Sequence, residues 1–562
     1  MKQRIGSSAI LLALAALAPL YAQPRTVGLF LNDSASFNGY TLFAPMHYRT
    51  TYLINNNGEL CHSWPSNWEP GRSVVLLEDG HLLHTCFQAP VVNPYFPGGG
   101  EGGRVEEYDW DGNLVWAYNY SDSMHLQHHE AKPLPNGNVL MIAYDRMLYN
   151  PAIAAGRRPD RLPERELWPD HVIEVEKTGD TTGTIVWEWH VWDHLIQDYD
   201  STKQNYGVVA DHPELIDVNF GDARACWNHT NSINYNADPD QIVISVRGNS
   251  EIWVIDHSTT TEQARGHSGG RGGRGGDLLY RWGNPQAYRA GTRTDQKLFQ
   301  QHDGGWIPAG YPGAGNMLIF NNGIGRPGGG YSSVDEIVPP VDSLGHYYLP
   351  PGGHYGPEAP VWSYAATPPS SFYSSEISGA QRQPNGNTLI CAGIFGNFFE
   401  VTRDSEMVWR YVNPVTDSGP MWQGDTVRDD PGRPGQKMNA VFKIVRYAPD
   451  YAGFVGRNLT PRGPIERYRP GIEDALSLPR IRPRLWTNGR GAMTLTGLPA
   501  RGSIAIYTVL GTLVAEHTLF GSDGTYIAPA VHAGGVYLCR VLDADGEVLL
   551  SAKSAALPAR QR

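Results

Sequence analysis

The sequence predicts an all-β chain: a six-bladed β-propeller followed by a small Ig-like β-sandwich. Three observations lead there. A short apolar strand ending in tryptophan recurs along the chain. A turn followed by an apolar strand recurs between those tryptophans. Glycine (64) and proline (42) are abundant, aromatic residues make up 11%, and sustained 3.6-residue periodicity is hard to find.

The tryptophan strands are GELCHSW (Trp64), GNLVWAY (Trp116), GTIVWEW (Trp187), DLLYRWG (Trp282), APVWSY (Trp362) and SEMVWRY (Trp409). The turn-and-strand units are LEDGHLL (77–83), LPNGNVLM (134–141), DPDQIVIS (238–245), GAGNMLIF (313–320) and QPNGNTLI (383–390). NG and DG pairs between apolar runs are hairpin signals. Multi-strand repeats at this spacing mean a propeller, one tryptophan strand to a blade. A run of unrelated sandwiches is the alternative. The Gly/Arg stretch 266–276 reads as an insertion, without the strand and helix context of a phosphate-binding loop.

The two ends read differently. Lys2 and Arg4, the apolar run 9–18 and Ala22 form a secretory signal peptide over 1–22, too short to span a bilayer. The propeller is expected over 23–455, a Pro/Arg-rich linker over 456–485 and the sandwich over 486–562, with no transmembrane segment. The expected location is exported: periplasm in transit, then secreted or at the cell surface. The formal charge of −12 argues against nucleic acid or anionic membrane as a partner. Five cysteines show no CxxC spacing, and Cys61 with Cys86 is the one disulfide pair worth considering.

The hairpin repeat aligns the inner strands. Six residues before the proline, or its equivalent, of each turn unit stand Arg72, His129, His229, His302 and Ser378, with Asn439 a candidate in the sixth blade. Three imidazoles at one register of a propeller channel are costly to bury without a use. Neutral imidazole is a nucleophile near pH 7, and guanidinium is a ligand for oxyanions. The set suits attack on a sulfuryl or phosphoryl centre. Asn231, two residues after His229, is expected on the same side. Arg247 either returns towards the channel mouth or makes a surface salt bridge, and Trp306 is placed to stack on an aryl ring or to fill the blade core.

The motifs HHEAKPLPNGNVLM, WNHTNSINYN with SVRGNSEIWVID, YRWGNP, QHDGGW with FNNG, and SSEISGAQRQPNGNTLI with FFEVT and VWRYVNP resemble the bacterial aryl-sulfate sulfotransferase family over residues 40–450. The resemblance implies a phenolic sulfate donor instead of the nucleotide PAPS, a phenol acceptor and a transiently sulfated channel histidine, with no cofactor. It implies His302 as nucleophile, His229, Asn231 and Arg247 on the sulfuryl oxygens, and His129 assisting, with His128 as its alternative. Arg72, Ser378 and Trp306 complete the expected substrate contacts. The chain departs from some members in having no cysteine over Trp282–Gln301, and its propeller is expected to start near residue 27, where some members carry a separate N-terminal β-domain. The C-terminal IYTVLGTLV, AGGVY and Lys553 resemble a type IX secretion sorting domain, which implies that machinery as a partner. Open alternatives are a non-catalytic binding propeller, a quinoprotein dehydrogenase and a metalloenzyme holding zinc or copper on the channel histidines, although no HExxH is present.

Overall fold

The computed structural model describes residues 25–88, 91–100 and 102–469, and beyond these seven strands between 484 and 555. The expected signal peptide, the linker beyond 469 and the segments joining the C-terminal strands lie outside the described residues.

The chain is nearly all β and propeller-like. Among the described residues of 25–469, and apart from three two-stranded pairs, its sheets are one of five strands, one of eight and three of four, antiparallel except at one parallel bridge. One runs Thr230–Asn236, Gln241–Val246, Glu251–Asp256, Tyr280–Trp282, and the next His302–Trp306, Met317–Asn321, Ser333–Ile337, Trp362–Tyr364. A third begins at Gly379–Arg382 and ends on Met407–Val412, to which Gly28–Asn32 adds an outer strand. A fourth is built from both ends of this region, with Val441–Tyr447 innermost and Tyr40–Pro45 paired to it. The remaining two four-stranded sets begin at Pro70–Leu76 and His125–Pro133. A parallel bridge between Arg72 and His129 joins them.

The first strands of these sheets form a ring. Pro70–Leu76, His125–Pro133, Thr230–Asn236, His302–Trp306, Gly379–Arg382 and Val441–Tyr447 each lie against the next, and the last lies against the first.

The recurring tryptophan has a physical role on the outer strands. Each indole N–H reaches the neighbouring sheet. Trp64 donates to Asp109 O at 3.1 Å, Trp116 to Thr182 O at 3.1 Å and Trp187 to Thr259 Oγ1 at 3.1 Å. Trp282 donates to Pro357 O at 2.9 Å, Trp362 to Arg403 O at 2.8 Å, and Trp409 back to Asn56 O at 2.8 Å. A buried indole needs a partner for its N–H, and here each finds one only when the next sheet is in place.

The core sits between facing sheets. Phe43 and Tyr52 pack on Leu389, Phe398 and Trp409 at one such interface. Leu83 and Val105 pack on Val139, Met141 and Ile173 at another. Sheets covered on both sides explain the unbroken apolar second strands such as Val139–Asp145, where alternation is absent.

Residues 456–469 differ from the expected linker. Arg462 N–H bonds Leu60 O at 2.8 Å, Gln423 N–H bonds Arg467 O at 2.8 Å, and Ile465 joins the core. This stretch is Pro/Arg-rich because it covers a sheet edge as irregular chain. All five cysteines are free, so Cys61 and Cys86 do not pair. The C-terminal strands form a three-stranded sheet (Arg484–Thr487, Met493–Thr496, Thr525–Ile527) and a four-stranded one (Leu513–Phe520, Arg501–Thr508, Val536–Asp543, Val548–Ala555). Among the described residues no helix is long and apolar enough to cross a membrane.

Candidate active site

The inner strands are not regular at the end that forms the site. Their ladders slip between Pro70 and Val74, between the partners of Met141 and Ala143, between Thr230 and Ser232, and between His302 and Gly305. In or beside these bulges the backbone is left-handed: φ is 51° at His129, 52° at His229, 51° at Asp303 and 146° at Arg72. The neighbouring loop carries Ile377 at 49° and Ser378 at 88°. Such conformations cost non-glycine residues roughly 1–3 kcal/mol each and concentrate at functional sites. Here they re-aim side chains. Arg72, His129, His229 and His302 turn onto the wall of one cavity of about 600 Å³, joined by Arg247 from the neighbouring strand end.

His302 is held in one tautomer. Its Nδ1 lies 2.8 Å from Asn322 Oδ1. The Asn322 amide is oriented by its own Nδ2, which donates to Ser374 O at 2.8 Å and Ile377 O at 2.9 Å. The oxygen must therefore face His302, and an oxygen only accepts. Nδ1 carries the hydrogen and Nε2 keeps its lone pair. The backbone N–H of Ile377 touches that lone pair at 3.2 Å. Burial, then the Arg247 charge, pushes the His302 pKa down to about 3, so the ring is neutral at ordinary pH.

His129 and His229 meet edge to face with centroids 4.9 Å apart. Burial holds both well below the usual imidazole range. Repulsion between the two rings when protonated adds to this at His129, and the Arg247 charge at His229. Cys226 Sγ lies 2.8 Å from His229 Nδ1 and 3.3 Å from the Tyr144 hydroxyl. The glycine run 98–100 forms the facing wall. Gly100 O accepts the His129 N–H at 2.8 Å, and a Cβ on Gly100 would fall 1.9 Å from His129 Cε1.

Arg224 and Arg433 add two more guanidiniums to the wall, and Glu164, Glu166 and Glu376 the carboxylates. Neutral imidazoles among guanidiniums make a site for an anion that carries its own charge in. The arylsulfotransferase (ASST) family model matches residues 45–338, which include Arg72, His129, His229, Arg247, His302 and Asn322. The chain belongs to the arylsulfotransferase family.

Membership supports a sulfotransferase enzyme with a small aryl donor and acceptor. No curated protein matches the chain. Solved structures similar to it include a protein of unknown function from Bacteroides caccae, at 11% identity and TM-score 0.37, covering 73% of this chain and 98% of that one. A functionally unknown protein from Desulfotomaculum acetoxidans is similar at 9% identity and TM-score 0.33, covering 73% and 100%. Virginiamycin B lyase from Staphylococcus aureus is similar at 10% identity and TM-score 0.32, covering 70% and 86%.

The arylsulfotransferase cavity takes in five of the residues singled out from sequence: Arg72, His129, His229, Arg247 and His302. His128 stands behind the wall, stacked on Tyr144 at 3.6 Å, with its Nδ1 2.7 Å from His129 Nδ1 and its Nε2 3.4 Å from Asp170. Asn231 is buried off the wall and donates to Gln301 O at 2.8 Å. The left-handed His229 breaks the strand alternation that would have put the two on one side. Ser378 Oγ donates to Ser374 Oγ at 2.8 Å and accepts the Gly393 N–H at 3.0 Å, fixing the loop that carries Ile377. Asn439 Nδ2 donates to Asn413 O at 2.8 Å, a structural tie. Trp306 lines a separate cavity of about 190 Å³ with Glu130, Lys132, Asp303 and Lys443, and packs against the apolar cluster of its sheet.

Residues not singled out from sequence are Asn322, Cys226, Glu376, Arg224, Arg433 and the glycine run. Only FNNG carried a signal for Asn322: two amides at the end of a buried strand. Among the described residues, close groups of metal-ligand donors lie outside this cavity, at His84–Cys86–Glu106, Asp145–His171–His190, His194–His267–Asp277 and Asp79–His81–Glu107.

Proposed function

We propose that this arylsulfotransferase moves a sulfuryl group from an aryl sulfate ester to a phenol through a sulfohistidine on His302, without PAPS. The observation that carries the reading is the Asn322 clamp, which leaves Nε2 of a neutral, buried imidazole as the nucleophile. Nε2 attacks sulfur in line, the N–S bond forms, the S–O(aryl) bond breaks, and phenolate leaves with the electron pair. Arg247 and His229 hold the sulfuryl oxygens, and Arg72 adds positive charge beside them. The Ile377 N–H releases the lone pair as sulfur arrives. His129 or His229, protonated as the anionic donor binds, passes that proton to the departing phenolate and as neutral imidazole takes one from the incoming phenol. The phenol oxygen then attacks sulfur, the S–O bond forms, the N–S bond breaks, and neutral His302 returns. Asn231 acts through the carbonyl of Gln301, next to His302, with no contact to the sulfuryl group.

The scaffold we propose is a six-bladed propeller, supported by the ring of inner strands and the ring of indole hydrogen bonds. The C-terminal sheets we read as an Ig-like sorting sandwich for type IX secretion, with residues 1–22 removed on export. Amino-terminal sequencing of protein from the medium and from the cell surface tests that reading.

Turnover of a chromogenic aryl sulfate with a phenol, without PAPS, tests the chemistry on wild type and His302→Ala. The expected result is ping-pong kinetics, a peptide containing His302 that gains one sulfuryl group, and loss of both in the variant.

A further inference from the structure

A second constellation lies in the sheet that begins with His125–Pro133. The register brings four side chains into one row across four strands. His125 pairs with Asp145, Ala143 with His171, and His171 with His190. Residues in direct register share a face, and so do residues two apart. His125, Asp145, His171 and His190 therefore stand on one face at one end of the sheet. His125 Nε2 lies 3.7 Å and His171 Nδ1 3.1 Å from Asp145 Oδ1, and His190 Nδ1 lies 2.6 Å from Asp145 Oδ2.

Each ring is held from behind by its other nitrogen. His125 Nδ1 meets Asp122 Oδ2 at 3.1 Å, His171 Nε2 meets the Tyr120 hydroxyl at 3.0 Å, and His190 Nε2 faces Glu188 Oε2 at 3.6 Å. Oxygen partners behind each imidazole are the usual support of metal-ligating histidines. A further observation points the same way. His171 is fully buried and its Nδ1 faces the Asp145 carboxylate, yet makes no hydrogen bond. The His190 side chain keeps 18% exposure and His125 37%, so the row opens to solvent.

We propose that His125, Asp145, His171 and His190 form a divalent-cation site that takes Zn²⁺. Three imidazole nitrogens and a carboxylate suit zinc. Nitrogen and oxygen bonds of about 2.0–2.2 Å set tetrahedral ligand atoms roughly 3.3–3.5 Å apart; the three distances to Asp145 bracket that spacing. The ligand atoms of Asp145, His171 and His190 all lie within 4.8 Å of one another, and His125 closes in from the solvent edge as the fourth ligand. Zinc displaces the proton shared between His190 and Asp145, which goes to the buffer. The ion ties four strands of the blade that carries His129, away from the cavity, and its role is to stiffen that blade.

The test uses the full chain freed of metal with a chelator and titrated with Zn²⁺ alone by calorimetry, with Co²⁺ as the spectroscopic substitute. Wild type is expected to bind zinc with a raised melting midpoint and to give the visible absorption of four-coordinate Co²⁺. Asp145→Asn and His190→Gln are each expected to lose one equivalent of zinc and the Co²⁺ band. His125→Ala, at the solvent edge where folding is not at stake, is expected to weaken zinc binding more than about 10-fold. Equal zinc stoichiometry and affinity in wild type and all three variants would overturn the proposal. So would a wild type whose melting midpoint zinc leaves unmoved.

Discussion

Asn322 holds His302 through Nδ1 at 2.8 Å while two backbone carbonyls hold Asn322. The ring can neither flip nor change tautomer without leaving a buried amide unpaired. Asn322→Ala frees both motions, and kcat is expected to fall by about 10²- to 10⁴-fold, the span seen when a proton-transfer group or its tautomer is lost. Asn322→Asp keeps an acceptor but adds negative charge next to the ring, which raises the His302 pKa. Its acid limb of kcat/KM is therefore expected at higher pH than in wild type. A pH–rate profile of the three proteins checks both.

Gly100 faces the His129 ring, and its φ of +81° is unfavourable for an L side chain. In Gly100→Ala the new Cβ would sit 1.9 Å from His129 Cε1, so ring or loop must move. Stability is expected to fall by about 1–3 kcal/mol, with a loss of kcat beyond what that implies. Gly112→Ala has the same sign of φ but open space around its Cβ, and serves as the control for backbone strain alone. Thermal melting and steady-state kinetics on both variants decide it.

The three site imidazoles are neutral, because burial holds His129, His229 and His302 below the usual range. An unfolded histidine takes up a proton near pH 6.5, and these three do not until lower pH. Below about 6.5 the unfolded chain binds more protons, so stability falls as pH falls, by about 1.4 kcal/mol per pH unit for each histidine. The window runs down towards about 3, where His302 itself titrates. An aryl sulfate brings negative charge that raises these pKa values. Donor binding is therefore expected to take up protons and to tighten as pH falls within that window. Calorimetry of a non-transferring aryl sulfonate in buffers of different ionisation enthalpy measures the uptake.

The repeat made the ring of sheets legible in the sequence, because tryptophan and turn units recur at equivalent strands. The register that aligned Arg72, His129, His229 and His302 was legible for the same reason. It failed at Asn231, where the left-handed His229 reverses side-chain parity, a conformation no pattern of residue types announces. Trp306, read as either an aryl-stacking or a blade-core residue, packs against the apolar cluster of its sheet and lines a cavity separate from the site. His125, Asp145, His171 and His190 carry no metal-binding spacing. They meet through pairing of four strands and not along one.

Trp409 spans two sheets: its indole donates to Asn56 O at 2.8 Å, and the Arg446 guanidinium lies 4.3 Å over its ring. Trp409→Phe keeps a ring under Arg446 but leaves the buried carbonyl of Asn56 without its donor. An unsatisfied buried acceptor costs about 1–3 kcal/mol. The expected result is destabilisation of that size with kcat little changed, since the tryptophan does not line the cavity. Denaturant unfolding followed by fluorescence of the other tryptophans measures it.

Lys443 stands on the strand that closes the ring and pairs with Glu130 and with Asp303, the latter at 3.1 Å. Glu130 Oε2 also accepts the Ile233 N–H at 3.0 Å, and Asp303 Oδ2 the Ala380 N–H at 3.0 Å. One ammonium thus holds carboxylates that anchor two further inner strands. Lys443→Met leaves Glu130 and Asp303 with Lys132 as the remaining cation beside them; a broken buried pair costs about 3–5 kcal/mol, of which Lys132 offsets part. Lys443→Met with Glu130→Gln neutralises the Glu130 carboxylate as well and is expected to recover a large part of the loss. Because Asp303 follows His302 directly, the single variant is also expected to lower kcat in the protein that remains folded. A double-mutant cycle on stability, read beside turnover per folded molecule, separates the electrostatic anchor from the displacement of His302.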